Sequence, residues 1–300
     1  MKIAYLILAH NTPRHLRRLI TRLSSIPSRI FIHLDKKSNA DDFSGIKGRN
    51  IHFTQERVPV FWGDFSLVEA ILILLKTAIK DQWRPDRFVL LSGADYPLRS
   101  ASYIEKFFED NPGKEFINLV AMPNDAAGKP ISRLTIYNFR PGDHWITKVI
   151  RKRLIKAGVL PPKRDYRIYL RHLAPYGGST WWALSREASD FILTFVKEET
   201  RVVNFFKNTH IPDESLFQTI LGNSDFRSRI VRNLTYADWS AGGPSPAYIT
   251  EKHLDFFQVT SSFPSSDVYG VGEMLFARKF SDDSEELVSR LDNLINERGR

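Results

Sequence analysis

Apolar and polar positions follow two rhythms along this chain, and the rhythm switches repeatedly over the first 110 residues. Lys2 to Ala9 is an apolar run behind one lysine, short enough for a strand buried on both faces. Pro13 to Ser25 repeats leucine and isoleucine at helical spacing behind a proline suited to a first turn. Arg29 to Leu34 and Ile51 to Phe53 read as strands, Ser66 to Lys80 as a long apolar helix, and Arg87 to Ser92 as another buried strand. Ser102 to Asp110 is helical and stops at Asn111-Pro112-Gly113. Alternating strands and helices predict an α/β fold with a mostly parallel sheet flanked by helices. Ligands of such sheets gather at the carboxyl ends of the strands.

Three polar clusters fall at those ends. Ala9-His10-Asn11-Thr12 follows the first strand, His33 to Lys37 closes the second, and Ser92 to Pro97 follows the fourth. Together they outline one crevice with His10, Asn11, Asp35 and Asp95 as candidate ligand contacts. Each cluster also has an ordinary explanation in helix capping or turn chemistry.

The second half is less regular. Gly177 to Leu184 leads into a helix with Ser185 as its expected cap and Glu187 in its first turn. Trp181 and Trp182 point to opposite faces if extended, so one suits the core and the other a groove. In His210 to Phe217, Pro212 fits a first helical position, Asp213 is expected to cap, and Glu214 falls in the first turn. Asp238 to Pro246 is a Gly- and Pro-rich loop carrying Trp239, and loops of this kind often hold binding groups. No repeat or low-complexity linker divides the chain, so a single domain is expected.

Composition narrows the choices. A 300-residue chain with 42% apolar residues can bury a large core. The absence of cysteine excludes disulfides, thiolate metal sites and cysteine nucleophiles, and fits a reducing compartment. Forty-three Lys and Arg against 34 Asp and Glu leave a formal charge of +9, which suits nucleic acid, an anionic membrane face or a phosphorylated small molecule. Basic residues are dense from Lys148 to Arg171. There Ile146, Val149, Ile150, Leu154 and Ala157 form a stripe with Lys148, Arg151, Lys152 and Lys156 around it. That pattern describes either a surface helix packed on the core or one lying at a membrane interface. Ile3 to Ala9 is too short to span a bilayer, and no later run reaches about 18 apolar residues, so a soluble or peripheral protein is expected.

Several chemistries lack their carriers. The chain contains no phosphate-binding Walker sequence, no G-x-G-x-x-G, no G-x-S-x-G and no H-E-x-x-H. An Asp-x-Asp pair, a common seat for Mg²⁺ or Mn²⁺ beside nucleotide sugars, is also missing. Any nucleotide diphosphate bound here therefore needs another source of positive charge.

The ordered blocks LILAHNTP, IHLDKKS, VFWGDFSLVEAILILLKTAI, FVLLSGADYPLRS, GGSTWWALSRE, PDESLFQTIL, DWSAGGPSPAYIT and LFARKF resemble those of the branching β-1,6-N-acetylglucosaminyltransferases and peptide O-xylosyltransferases (glycosyltransferase family 14). The resemblance runs from about Ile3 to about Phe280. It implies a GT-A-like, Rossmann-type nucleotide-binding fold and an inverting, metal-independent transfer of a sugar from a UDP donor, with no cofactor. Residues about 1–120 then form the nucleotide-binding half and about 121–300 the acceptor and catalytic half. The family's base transfers to Glu214, and its diphosphate-holding cations transfer to Arg278 and Lys279. Asp95 is expected near the donor sugar or ribose and Asp35 near the uridine, with His10 and Asn11 beside them. Trp181, Trp182 and Trp239 are expected on the acceptor side.

The wording of the SGADYP block leans toward the xylosyl branch, so GlcNAc or xylose is the expected donor sugar. The chain departs from the animal enzymes in lacking their cysteine framework, and neither their membrane anchor nor their stem is expected. The expected setting is a bacterial cytoplasm, with peripheral contact at the inner membrane face through residues 148–171. The expected acceptor is a glycan, glycolipid or peptide in surface polysaccharide or glycoconjugate synthesis. A nucleic-acid binder would explain the charge and the aromatics, but it leaves Glu214 and the sheet-edge clusters without a role. A noncatalytic sugar-binding module on the same fold is the other alternative.

Overall fold

The computed structural model describes residues 1–24, 27–139 and 145–298. In chain order, the strands that carry the architecture are β1 (Ile3–Ala9), β2 (Ser28–Leu34), β3 (Ile51–Phe53), β4 (Arg87–Ser92), β5 (Asp95–Pro97), β6 (Glu115–Ile117), β7 (Trp182–Ser185), β8 (Ile230–Val231), β9 (Thr235–Ala237) and β10 (Phe276–Arg278). The helices of seven residues or more are α1 (Pro13–Leu23), α2 (Ser66–Ile79), α3 (Ala101–Asp110), α4 (Trp145–Lys156), α5 (Arg186–Glu198), α6 (Thr200–Phe206), α7 (Leu216–Gly222), α8 (Glu251–Val259) and α9 (Glu285–Arg298). Ser25, expected at the end of α1, lies outside the described residues.

Period-two alternation decides which layer each side chain joins. Along β1, Ile3, Tyr5, Ile7 and Ala9 pack with apolar residues of α1, α3, α8 and α9. Ala4, Leu6 and Leu8 face the other way, toward α2, α5, α6 and α7. The sheet is thus buried on both faces, which is why its central strands read as unbroken apolar runs.

Seven strands form this sheet in the order β8-β6-β7-β4-β1-β2-β3. The β4-β1-β2-β3 portion is parallel, as the strand and helix alternation predicts. β7 then enters antiparallel between β4 and β6. A small second sheet has β10 at its centre, parallel to β9 and antiparallel to β5.

Two local features differ from the sequence reading. Ser185 caps α5 by accepting from the Ala188 amide, as expected, but Asp213 caps nothing. Pro212–Glu214 is a separate 3₁₀ turn ahead of α7. The apolar stripe of α4 is also not packed into the core: Ile146 and Ile150 stand about half exposed, and Trp145 is 69% exposed. Periodicity gives such a stripe but not what covers it. The side chain of Lys148, counted with that stripe's cations, lies outside the described residues. Among the described residues no helix is long and apolar enough to cross a membrane.

Candidate active site

Parallel register fixes where the first-half clusters meet. Ala9 of β1 pairs with Leu34 of β2, and Leu8 pairs with Ser92 of β4, so the residues after each strand emerge at one edge. His10 sits there within the field of Asp35, Lys37, Arg278 and Lys279. Burial lowers its pKa, Asp35 opposes that shift, and the three cations reinforce it. Asn11 is exposed beside it.

Asp35 is buried and fully engaged. Its Oδ2 accepts from Lys37 Nζ at 2.7 Å, and its Oδ1 accepts from the amides of Lys37 and Val60. Burial alone would raise its pKa, but the Lys37 ammonium and the two amides outweigh it and hold the carboxyl below its usual value. Arg57 ties the same turn by donating to the carbonyls of Leu34, Asp35 and Ser38.

The second sheet brings the C-terminal cations to this edge. Phe276 and Phe280 are buried and fix the segment between them. Antiparallel register sets Arg278 opposite Asp95, with Arg278 Nε 3.5 Å from Asp95 Oδ1. Asp95 is fully buried and also accepts from the amide and hydroxyl of Ser92, so its pKa is raised by desolvation despite Arg278. It backs Arg278 and offers no surface to a sugar. The Arg278 guanidinium lies 4.2 Å from the centre of the Trp181 ring, and the side chain is 14% exposed. Lys279 instead reaches outward, donating to Ser245 Oγ at 3.1 Å on the loop that carries Trp239. Burial and Arg278 both lower the Lys279 pKa. The acidic run after Phe280 is answered by other cations: Arg14 pairs with Asp282 and Asp283, and Arg18 with Glu285.

The remaining cluster surrounds Glu214. Its Oε2 accepts from Lys129 Nζ at 2.6 Å and Arg133 Nη1 at 2.7 Å. Among the described residues, both hydrogen bonds to this carboxylate go to Oε2. Lys129 is buried, and desolvation lowers its pKa while Glu214 opposes the shift. Next door, buried Asp213 accepts from Thr180 Oγ1 at 2.6 Å, and burial together with the Glu214 charge pushes its pKa up.

One short segment joins the two clusters. The Gly178 amide donates to the Glu214 carbonyl at 2.9 Å, Thr180 bonds Asp213, and Trp181 stacks on Arg278. Only glycine fits at 178, because a Cβ there would lie 1.8 Å from the Asn118 carbonyl oxygen. Gln218 adds a bond from Nε2 to the Ser179 carbonyl at 2.7 Å.

Of the three candidate tryptophans, Trp182 is 2% exposed and packs edge-on against Phe217 in the core, where no acceptor reaches it. Trp181 is half-buried beside Arg278, and Trp239 is 55% exposed. Residues not anticipated are Lys129, Arg133, His210 and Trp62. Trp62 stands exposed with its ring edge-to-face on His210, and His210 and Arg133 line a cavity of about 300 Å³. The sequence signal for Lys129 and Arg133, two cations four apart, is too common to find them. Among the described residues no three His, Asp or Glu side chains gather as a metal-ligating group.

A family model described as Core-2/I-Branching enzyme matches residues 3–259. Xylosyltransferase 2 of Mus musculus is 26% identical over 248 residues, covering 80% of this chain and 27% of that relative. Xylosyltransferase 1 of Rattus norvegicus is 24% identical over 326 residues, covering 98% of this chain and 35% of that relative. The chain spans roughly a quarter to a third of the length of these curated relatives. Among solved structures, the apo form of mouse xyloside xylosyltransferase 1 aligns with a TM-score of 0.41 and 11% identity, covering 92% of this chain and 97% of that one.

Proposed function

Because the chain belongs to the Core-2/I-branching enzyme family, we propose that it is a glycosyltransferase of GT-A type that moves a sugar from a UDP donor to an acceptor hydroxyl, with inversion and without a divalent metal. The observation that carries this reading is the segment Gly178 to Trp181, whose Gly178 amide holds the Glu214 backbone carbonyl at one end and whose Trp181 ring lies against the Arg278 guanidinium at the other. A base and a fixed cation held by one strut suit a displacement in which proton loss and leaving-group departure occur on opposite sides of one carbon.

In the proposed step the acceptor oxygen attacks the anomeric carbon from the face opposite UDP. The bond to the diphosphate oxygen breaks, its electron pair leaves on UDP, and the hydroxyl proton passes to Glu214 Oε1. Lys279 meets the charge that grows on the diphosphate, while Arg278 contributes from behind, positioned by Asp95 and Trp181. His10, Asn11 and Asp35 lie at the nucleotide end, with Asp35 acting mainly to shape its turn. Trp239 is the acceptor-side aromatic. The names of the relatives favour xylose over GlcNAc as the donor sugar, and a glycan, glycolipid or peptide is the acceptor class.

Thermal shift with UDP-xylose and UDP-GlcNAc, followed by turnover, tests the donor and metal assignments together. Stabilisation by a UDP-sugar is expected to be the same with and without excess EDTA, and transfer in EDTA is expected to run close to its rate in Mn²⁺. An absolute Mn²⁺ requirement sinks the metal-free part, and indifference to every UDP-sugar sinks the donor class.

The reading also includes peripheral contact with an anionic membrane through α4 and the turn after it, where Trp145, Ile150 and Val159 stand exposed near Lys152, Arg153 and Lys156. Phosphatidylglycerol vesicles are expected to carry the protein down on sedimentation, and Ile150→Asp to reduce that fraction severalfold. Equal sedimentation of both proteins removes this contact.

A further inference from the structure

Beyond the Glu214 cluster, a short wall separates two cavities. Ile136 and Asn138 line the 300 Å³ cavity beside Arg133, whereas Tyr137 between them lines a second cavity of about 440 Å³. Ile136 is extended, so neighbouring side chains take opposite sides. Backbone bonds pin the wall: the Asn138 amide donates to the Asn208 carbonyl and the Arg164 amide to the Thr135 carbonyl, both on the cavity rim.

The second cavity is cationic and aromatic at once. Arg151 lies 3.9 Å from the Tyr137 ring centre, Arg164 3.9 Å from Phe205 and Arg201 5.8 Å from Tyr169. Among the described residues no carboxylate lines it. Arg164 is held by the carbonyls of Phe205 and Asn208 at the end of α6, so its charge is fixed in place. Burial lowers its pKa to about 10, and Arg151 adds to the shift. Arg201 is anchored through one nitrogen to the Ile168 carbonyl. Among the described residues, the buried Nε of Arg151 has no hydrogen-bond partner.

Three guanidinium groups brought together with no acid among the described lining residues describe a site suited to an oxyanion, because planar forks match carboxylate and phosphate oxygens. The rings add flat apolar faces of the kind that pack on the C–H face of a sugar. The volume falls within the range of small-molecule pockets, about 300–1,000 Å³, and its concavity does not suit a flat lipid surface. We propose that this cavity is a second binding site that takes an anionic sugar unit of the acceptor, a hexuronate or a sugar phosphate, across the Ile136–Asn138 wall from the transfer site. The acceptor role rests on the glycosyltransferase reading.

Calorimetry with glucuronate and glucose 6-phosphate as probes, against glucose and inorganic phosphate, tests it without requiring turnover. Both anionic sugars are expected to bind at least about tenfold more tightly than glucose or phosphate, since charge and ring contacts act together. Arg201→Gln and Tyr169→Leu are each expected to weaken that binding about tenfold and leave UDP affinity unchanged. Arg164 is left alone because it also ties α6. Lys152→Gln, at an exposed position outside the cavity lining, is expected to leave the binding of both sugars unchanged. Three results overturn the proposal: phosphate binding as tightly as glucose 6-phosphate, which marks a bare-anion site; Lys152→Gln weakening binding as much as Arg201→Gln, which marks diffuse charge; and no binding of either sugar by a protein that still binds UDP. Sugar binding by a protein that ignores UDP would instead defeat the transfer reading and leave the pocket standing.

Discussion

Glu214→Gln is expected to lower turnover by about 100-fold or more, the lower end of what a positioned general base contributes, while UDP affinity stays nearly intact. The geometry explains why the loss falls on the chemical step. Lys129 and Arg133 both address Oε2, which fixes the carboxylate and leaves Oε1 without a hydrogen bond among the described residues. Glutamine keeps the shape and can still accept one of those bonds, but it cannot take the hydroxyl proton. It also leaves two cations with less compensating charge, so the melting temperature has to be read alongside the kinetics. Turnover within threefold of wild type in a folded Glu214→Gln protein would show that another group is the base.

Replacing the two C-terminal cations is expected to give two different results. Lys279 points outward, so Lys279→Ala is expected to weaken UDP and also lower kcat, with a barrier increase of roughly 2–4 kcal/mol for losing a preorganised charge on the leaving group. Lys279→Arg restores charge but not a compact ammonium, and is expected to rescue only part of the loss. Arg278 is largely enclosed by Asp95 and Trp181. Arg278→Ala therefore strands a fully buried carboxylate, and removing one partner of such a pair costs about 3–5 kcal/mol of stability. Asp95→Asn in the Arg278→Ala background is expected to recover much of that stability without recovering kcat. Kinetics, UDP calorimetry and denaturant titration on the single and double variants separate the roles. Unchanged kcat and unchanged UDP binding in Lys279→Ala would return the pair to ordinary surface charge.

Much of the first half was legible because its signals are local. Buried parallel strands leave continuous apolar runs, and the residues that follow them carry the crevice whatever the rest of the chain does. The second half depends on contacts between distant residues. Lys129 and Glu214 are 85 residues apart, and nothing in either neighbourhood announces the other. Asp213 has the sequence position of a cap, yet Thr180 claims it, because the turn it occupies is not the start of α7. Parity told that Trp181 and Trp182 diverge, but only the packing of Phe217 shows that Trp182 is the inward one. The pairing of Arg278 with Asp95 was similarly invisible, since it follows from strand register across 183 residues of chain.

The place of β7 in the sheet bears on how the protein is made. β4 gains its second neighbour only when Ala183 to Ser185 arrive, about 90 residues later in the chain. At a synthesis rate of about 5–20 residues per second, the apolar edge of β4 waits roughly 5–20 s with its amides and carbonyls open on that side. Open edges of this kind template pairing between chains. Crowded ribosomes and fast induction should therefore favour aggregates seeded at Phe88 to Leu91, and a lower density of nascent chains should raise the yield of folded protein.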